Sequence, residues 1–381
     1  MSLTSQIKEF ALDIGYSKVG IIPADSFPEY IDELTNRNEM YAFYINSPNR
    51  PLVSAEPRSV MPSAKSIITM VYDYSQKSFP KKFTDVMGRV YQARAYNAPP
   101  EHTNGARKQL MREFLSKIGC KVGENIILPE RLVAAKAGIV NYGRNNFVYA
   151  DGIGSFIFLT SFIVDQELEY DQPTVEVGCP DGCSACMKAC PTGAIYEPHK
   201  INPTRCITFN TNFTQDGMAG SYIQPEMREK MGTKVYGCDI CQEVCPRNQA
   251  RVKGKLPDDE YLLNAEKEFS LAKMLNMTDD FYQRRIYPLM YNYIKDRKYL
   301  QRNAAIALGN LGDPEFIPDL TVAMKNQEGL VRGYAAWALG RIGSQQAYQV
   351  LQECLTQETS VFVRKELEEA LVAIQSISGI D

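Results

Sequence analysis

The chain has 381 residues, 44% of them hydrophobic and 23% charged, with a formal net charge of −3. That length suffices for two or three domains with cores of their own, and the charge balance excludes a global basic field for nucleic acid, leaving only local patches. No apolar run approaches the ~18 residues of a membrane helix. The opening MSLTSQIKEF has neither an apolar signal region nor a twin arginine, so a cytoplasmic protein is expected. In a reducing compartment ten cysteines suggest metal rather than disulfides, and only two histidines, His102 and His199, accompany them.

Ile7, Phe10, Ala11 and Ile14 recur at helical spacing, predicting a first helix capped by Thr4 or Ser5 and ended by Gly15. Residues 18–22 read as a short strand, and Pro28 suits the first turn of a helix running to about Leu34. Residues 66–72 (SIITMVY) form a predicted central strand. Residues 107–118 form an amphipathic helix with Leu110, Met111, Phe114, Leu115 and Ile118 on one side, and residues 155–164 a buried strand. Alternating helices and strands imply an α/β domain over 1–172.

Residues 173–250 are rich in Cys, Pro and Gly and cannot build an ordinary core without a metal staple. A connecting helical region is expected over 251–295. From 296 to 381 the chain repeats: RNAAIALGNLG (302–312) returns as GYAAWALGRIG (333–343), Ala304 matching Ala335 at a spacing of 31, and a weaker copy, KELEEALVAI (365–374), follows about 32 residues later. The period, the small residues and the closing glycines indicate stacked helical hairpins of HEAT type. The expected fold class is α/β plus α: an α/β domain, a bacterial-ferredoxin-like two-cluster domain and a HEAT-like solenoid.

Cys179, Cys183, Cys186 and Cys190, then Pro191, form one run; Cys238, Cys241 and Cys245, then Pro246, form a second, with Cys206 between them. Three close cysteines followed by x3-Cys-Pro is the bacterial ferredoxin pattern, in which the last cysteine of each run ligates the other cluster. Cys179, Cys183, Cys186 and Cys245 are therefore assigned to one 4Fe–4S cluster, and Cys190, Cys206, Cys238 and Cys241 to the second. Three residues separate Cys179 from Cys183 where two are usual, and Cys206 is displaced far upstream. A pair of four-cysteine zinc sites is the alternative, although zinc ribbons favour two C-x2-C pairs per site. Cys120 and Cys354 lie outside the pattern and read as small buried residues. Neither a GxGxxG nor a GxxxxGK[ST] signature is present.

The order of motifs resembles the epoxyqueuosine reductase family, cobalamin-dependent iron–sulfur enzymes of queuosine-tRNA biosynthesis and cousins of the reductive dehalogenases. The matching pieces are EPRSVMPSAKSII (56–68), ERLVAAKAGI (130–139), GSFIFLTSFI (154–163), CSACMKACPTGAI (183–195), RCITF (205–209), YGCDICQEVCPRN (236–248) and the QRNAAIAL and RGYAAWALGRIG repeats. The resemblance implies a base-off cobalamin between the α/β and ferredoxin-like domains, reduced to cob(I)alamin by the two clusters. It also implies reduction of epoxyqueuosine in tRNA to queuosine, with a general acid to take the epoxide oxygen to water.

Counted back six residues from Glu130, Glu124 stands where the family has a proton-donating Asp; a one-residue shift would place Gly123 there. In GIVNYGRN (138–145) Val140, Asn141 and Arg144 replace a glycine, an aromatic and a lysine of the family pattern. The resemblance thus points to Glu124, Tyr142 and Arg144 as catalytic and to Asn141, Tyr142, Gly143, Arg144, Ser155, Lys234 and Tyr236 as cobalamin-binding. Basic residues near the second cysteine run and in the repeats, Arg247, Arg251, Lys253, Lys298, Arg302, Arg332 and Arg341, are candidates for phosphates of a tRNA anticodon arm. A monomer is expected, off the membrane and served by a low-potential donor such as a flavodoxin or ferredoxin. Two alternatives stay open: a sister cobalamin and iron–sulfur reductase of another substrate, with dehalogenase-like chemistry, and a non-catalytic electron-transfer scaffold.

Overall fold

The structure is a computed structural model and describes residues 1–47, 50–96, 98–124, 127–173, 178–212, 222–291 and 295–378. Its contacts divide the chain into two units, at points other than the expected boundaries. Unit 1 comprises Met1–Ser78, Ala93–Thr204 and Asp239–Asp258; unit 2 comprises Phe79–Gln92, Arg205–Cys238 and Asp259–Asp381. The cysteine-rich stretch expected as one domain is therefore shared. Cys206 and Cys238 belong to unit 2, the other cluster candidates to unit 1. A segment with so little apolar surface packs onto whichever core it reaches.

Unit 1 is built on a three-stranded sheet. Helix α1 (Leu3–Asp13) leads into β1 (Lys18–Pro23), followed by α2 (Pro28–Asn36) and β2 (Ser66–Asp73). Ser2 rather than Thr4 or Ser5 caps α1, its Oγ accepting the Ser5 N–H at 3.2 Å. Thr4 is buried in the first turn, where its Oγ1 accepts from the Glu169 N–H. Gly15 ends the helix as expected, at φ +94°. Helix α3 (Thr103–Lys117) starts earlier than expected because His102 caps it through Asn104 N–H, and Leu110 is 46% exposed rather than on the buried side.

Helix α4 (Glu130–Lys136), the short hairpin β3 (Asn141–Tyr142) and β4 (Val148–Tyr149), and β5 (Ile157–Val164) follow. The sheet order is β1-β2-β5, antiparallel at both junctions. Strand β2 is central and buried on both faces, which explains its unbroken apolar sequence. Ile68 and Met70 meet Ile7, Ala11, Met111 and Leu115 on one side. Ile67 and Val71 meet Val133 and Ala134 of α4 on the other. Helix α5 (Ala185–Ala189) holds Cys186 and is closed by Cys190, and the hairpin β6 (Ile195–Glu197) and β7 (Lys200–Ile201) follows.

Unit 2 holds α6 (Ile207–Asn212), α7 (Pro225–Lys230) and the repeats α8 (Lys298–Leu311), α9 (Ile317–Ala323), α10 (Gly329–Ile342), α11 (Gln345–Gln357) and α12 (Val361–Ser378). Helices α8, α10 and α12 stack in sequence around one apolar core. Their small residues are required by close approach. A Cβ on Gly309 would stand 2.8 Å from the Trp337 ring, and one on Gly340 2.7 Å from Ala370 Cβ. Helices α8 and α10 both end on left-handed glycines, Gly312 and Gly343.

Candidate functional site

Unit 1 holds the first cysteine run, Cys179, Cys183, Cys186 and Cys190. All ten cysteines are free thiols. Burial raises the Cys186 thiol, and the charges of Cys179 and Cys183 beside it raise it further. Three mutually repelling sulfurs are stabilised as thiolates by a positively charged iron core. Cys190 closes α5. Burial pushes its thiol up, but the Thr192 hydroxyl and backbone N–H groups outweigh this and hold it below the ordinary value. Ala194 N–H donates to its sulfur at 3.3 Å. Such N–H···S bonds are among the controls on cluster potential.

The hairpin β3–β4, expected to touch substrate or corrin, leans on this run. Arg144 N–H donates to Cys179 Sγ at 3.4 Å, and its guanidinium to the Cys183 carbonyl at 3.0 Å. Asn145 Nδ2 reaches the Cys241 carbonyl at 3.2 Å and the Tyr149 hydroxyl at 2.9 Å. Asn141 is buried, its Oδ1 accepting from Arg247 at 2.6 Å. Gly143 must be glycine because a Cβ would meet the Tyr149 ring at 2.4 Å. Ser155 is buried in a network, its Oγ donating to Gln242 while Asn248 takes its N–H and donates to its Oγ. In unit 2, Lys234 donates to the Thr84 carbonyl at 2.7 Å and Tyr236 is buried.

Tyr142 is placed differently. It is partly exposed, and burial raises its hydroxyl, with Arg131 opposing. Tyr30 stands near it and near Tyr44, the Tyr30 and Tyr44 hydroxyls being 3.2 Å apart, and Tyr96, near Tyr44, packs edge-on against Phe158. Sequence reasoning missed this aromatic wall because its members come from four separate segments. It also passed over Glu130 as anything but a counting mark. Burial raises that carboxyl to about 7, opposed by the Ser161 hydroxyl bonded to it and by the Lys108 charge. Glu124 is exposed, next to Gly123, whose N–H bonds the Ile163 carbonyl.

The basic candidates separate sharply. Arg302 is fully buried and offers nothing to a phosphate, a correction to the sequence reading; desolvation lowers its guanidinium to about 10. Arg332 is held bidentately by Glu358, whose carboxyl falls to about 2 because of that bond. Arg247 lies over the Tyr149 ring at 4.3 Å, and Arg251 pairs with buried Asp73 at 3.0 Å. Lys298 pairs with Asp296 at 2.8 Å, and Arg341 with Glu229 at 3.1 Å. Lys253 is exposed, with no ion pair among the described residues.

Residues 179–248 match the 4Fe-4S double cluster binding domain, and residues 288–372 match HEAT repeats. With its thiols, sheet and repeats, the chain is an iron–sulfur oxidoreductase carrying a helical-repeat module. The epoxyqueuosine reductase of Bacillus subtilis (strain 168) is 29% identical over 98% of this chain and 96% of its own length. A structure of the Bacillus subtilis enzyme, with its catalytic aspartate loop swung out of the active site, aligns over 97% of this chain and 98% of its own at a TM-score of 0.81 and 27% identity. An epoxyqueuosine reductase with an epoxyqueuosine-modified tRNA-Tyr stem loop aligns at 0.80, 27% identical, over 98% of this chain and 99% of its own. Over nearly its whole length the chain is similar to epoxyqueuosine reductases. Among the described residues no helix is long and apolar enough to cross a membrane.

Proposed function

We propose that this chain reduces epoxyqueuosine in a tRNA anticodon arm to queuosine, drawing electrons through two 4Fe–4S clusters with cobalamin as the reacting cofactor. One observation in unit 1 carries the reading. Tyr142 stands in the aromatic wall, and Arg144, two residues on, bonds the sulfur of Cys179. A proposed cluster ligand and a group of neighbouring tyrosines are thus joined by three consecutive residues. Tyr30, Tyr44, Tyr96 and Tyr142 are the proposed border of the corrin, whereas Asn141, Gly143 and Ser155 are committed to packing and hydrogen bonds within the protein. When bound, cobalamin supplies the low-potential two-electron chemistry.

The chain's own part is to bind, to shield and to move protons. Glu124, exposed in its loop, is the proposed proton donor to the leaving oxygen. Arg144 fixes the first thiolate run, and Tyr142 borders the cofactor. Lys253 in unit 1 and Arg341 in unit 2 are the proposed phosphate contacts that remain exposed.

The test is single turnover of anaerobically prepared, cluster-loaded and corrinoid-loaded chain with epoxyqueuosine-containing tRNA and a low-potential reductant. Queuosine should form, and Glu124→Gln should slow its formation by about 10²–10⁴-fold with iron and corrinoid content unchanged. Absence of queuosine from the fully loaded chain would reject the proposed substrate.

A further inference from the structure

Three repeat helices of unit 2 turn buried polar groups onto one segment of the chain. Asn303 on α8, Tyr334 on α10 and Glu366 on α12 occupy the same repeat position, at spacings of 31 and 32 residues. Their exposures are 0%, 0% and 2%. All three hold residues that lie between Cys206 and Cys238. Asn303 Nδ2 donates to the Thr211 carbonyl at 3.0 Å and the Val235 carbonyl at 2.8 Å. Arg302 donates to the Asn210 carbonyl at 2.9 Å and steadies Asn303 Oδ1 at 3.0 Å. The Tyr334 hydroxyl accepts the Ile223 N–H. Glu366 takes two bonds of 2.7 Å from Arg228, whose guanidinium lies 4.5 Å from the Tyr334 ring centre.

From these anchors the path to the thiols is short. Asn210 Nδ2 donates to the Cys206 carbonyl at 3.0 Å. Thr211 Oγ1 accepts the N–H of Gly237, the neighbour of Cys238, at 2.9 Å. A ligand displaced as far upstream as Cys206 needs its backbone fixed by something other than a tight turn. The repeats supply that fixing through side chains that would be left buried without partners if the segment moved.

We propose that Asn303, Tyr334 and Glu366, with Arg302, form a positioning frame for Cys206 and Cys238, the two ligands of the second 4Fe–4S cluster that unit 2 carries. This rests on the assignment of both cysteines to that cluster.

The full chain is loaded with clusters anaerobically and compared with Asn303→Asp, which keeps the shape but turns a carboxylate oxygen onto two carbonyls. Leu351→Ala, an apolar truncation in α11, is the control for general destabilisation. Iron and sulfide per chain, the electron paramagnetic resonance of the reduced protein and iron release to a chelator are measured. Asn303→Asp should hold about half the iron and show one cluster's spectrum, while Leu351→Ala keeps the full complement. Full iron, a two-cluster spectrum and unchanged release in Asn303→Asp would overturn the proposal. If that variant does not fold, Tyr334→Phe replaces it. Half its iron should leave at least fivefold faster, and release identical to the unmodified chain overturns the frame. Two clusters retained by Cys206→Ala would instead overturn the ligand assignment, and the frame's role with it.

Discussion

The two units bury polar groups in different ways. Unit 2 pairs buried charge with charge: Arg228 and Glu366, at 0% and 2% exposure, meet through two bonds of 2.7 Å. Unit 1 pairs a half-buried carboxyl with a hydroxyl, Glu130 with Ser161, and completes an amide network at Ser155, Gln242 and Asn248. A buried ion pair stays ionised over a wide pH range. A carboxyl bonded to a hydroxyl has its pKa moved into the neutral range by burial. The solenoid thus offers a fixed frame, and the sheet unit a group able to exchange a proton at working pH.

The largest expected effect is in unit 2. Glu366→Ala leaves the Arg228 charge buried and unpaired, and should destabilise the fold by about 3–5 kcal/mol, read by urea unfolding. Replacing both partners, Arg228→Met with Glu366→Leu, should recover most of that loss; a double variant as unstable as Glu366→Ala would show that the charge is not the cause. In unit 1, Asn248→Ala removes partners from the Ser155 N–H, the Ser155 hydroxyl and the Gln242 carbonyl. The expected loss is about 2–4 kcal/mol, and a loss below 1 kcal/mol would mean that water fills the gap.

What the sequence made legible is what is local. The cysteine spacing, the strand 66–72 and the repeat of 31 residues follow from patterns a few residues to one repeat long. Arg302 was misread because charge alone does not tell a wet solenoid face from a covered one. Its neighbour carried the missing signal: Asn303 sits in an Ala-rich helix at the position that holds Tyr334 and Glu366 in the later copies. The aromatic wall, the Ser2 cap and the division of the cysteine-rich stretch between two cores depend on packing between distant segments or on a rotamer at a helix end. Periodicity is silent on both.

Glu130 gives the next smaller effect. Its folded pKa of about 7 lies above the ordinary carboxyl value of 4.5, so the folded chain binds this proton more tightly than the unfolded one. Its contribution to stability is complete below about pH 4.5 and is lost as pH rises toward 7. Glu130→Gln should remove that slope and make the protein more stable at pH 8 by the order of 2 kcal/mol, with little change at pH 4.5. Equal unfolding midpoints at pH 8 would mean that the Ser161 bond already offsets the burial.

The smallest effect isolates burial itself. Glu229 follows Arg228 on α7, and pairs with Arg341 on α10 as Arg228 pairs with Glu366 on α12. Both are Arg–Glu pairs joining α7 to a repeat helix, but the Arg341 pair is 45% and 56% exposed. Arg341→Ala should therefore cost below about 1 kcal/mol, and less at 1 M salt, where the screening length is about 3 Å. If the exposed guanidinium also meets a tRNA phosphate, the same variant should weaken tRNA binding and lower the salt slope of affinity by about one. Stability and affinity then respond to one substitution in opposite proportion to Glu366→Ala, which should unfold the frame without touching RNA. An Arg341→Ala variant that lost stability but not affinity would place this pair with the buried frame and remove it from the RNA surface.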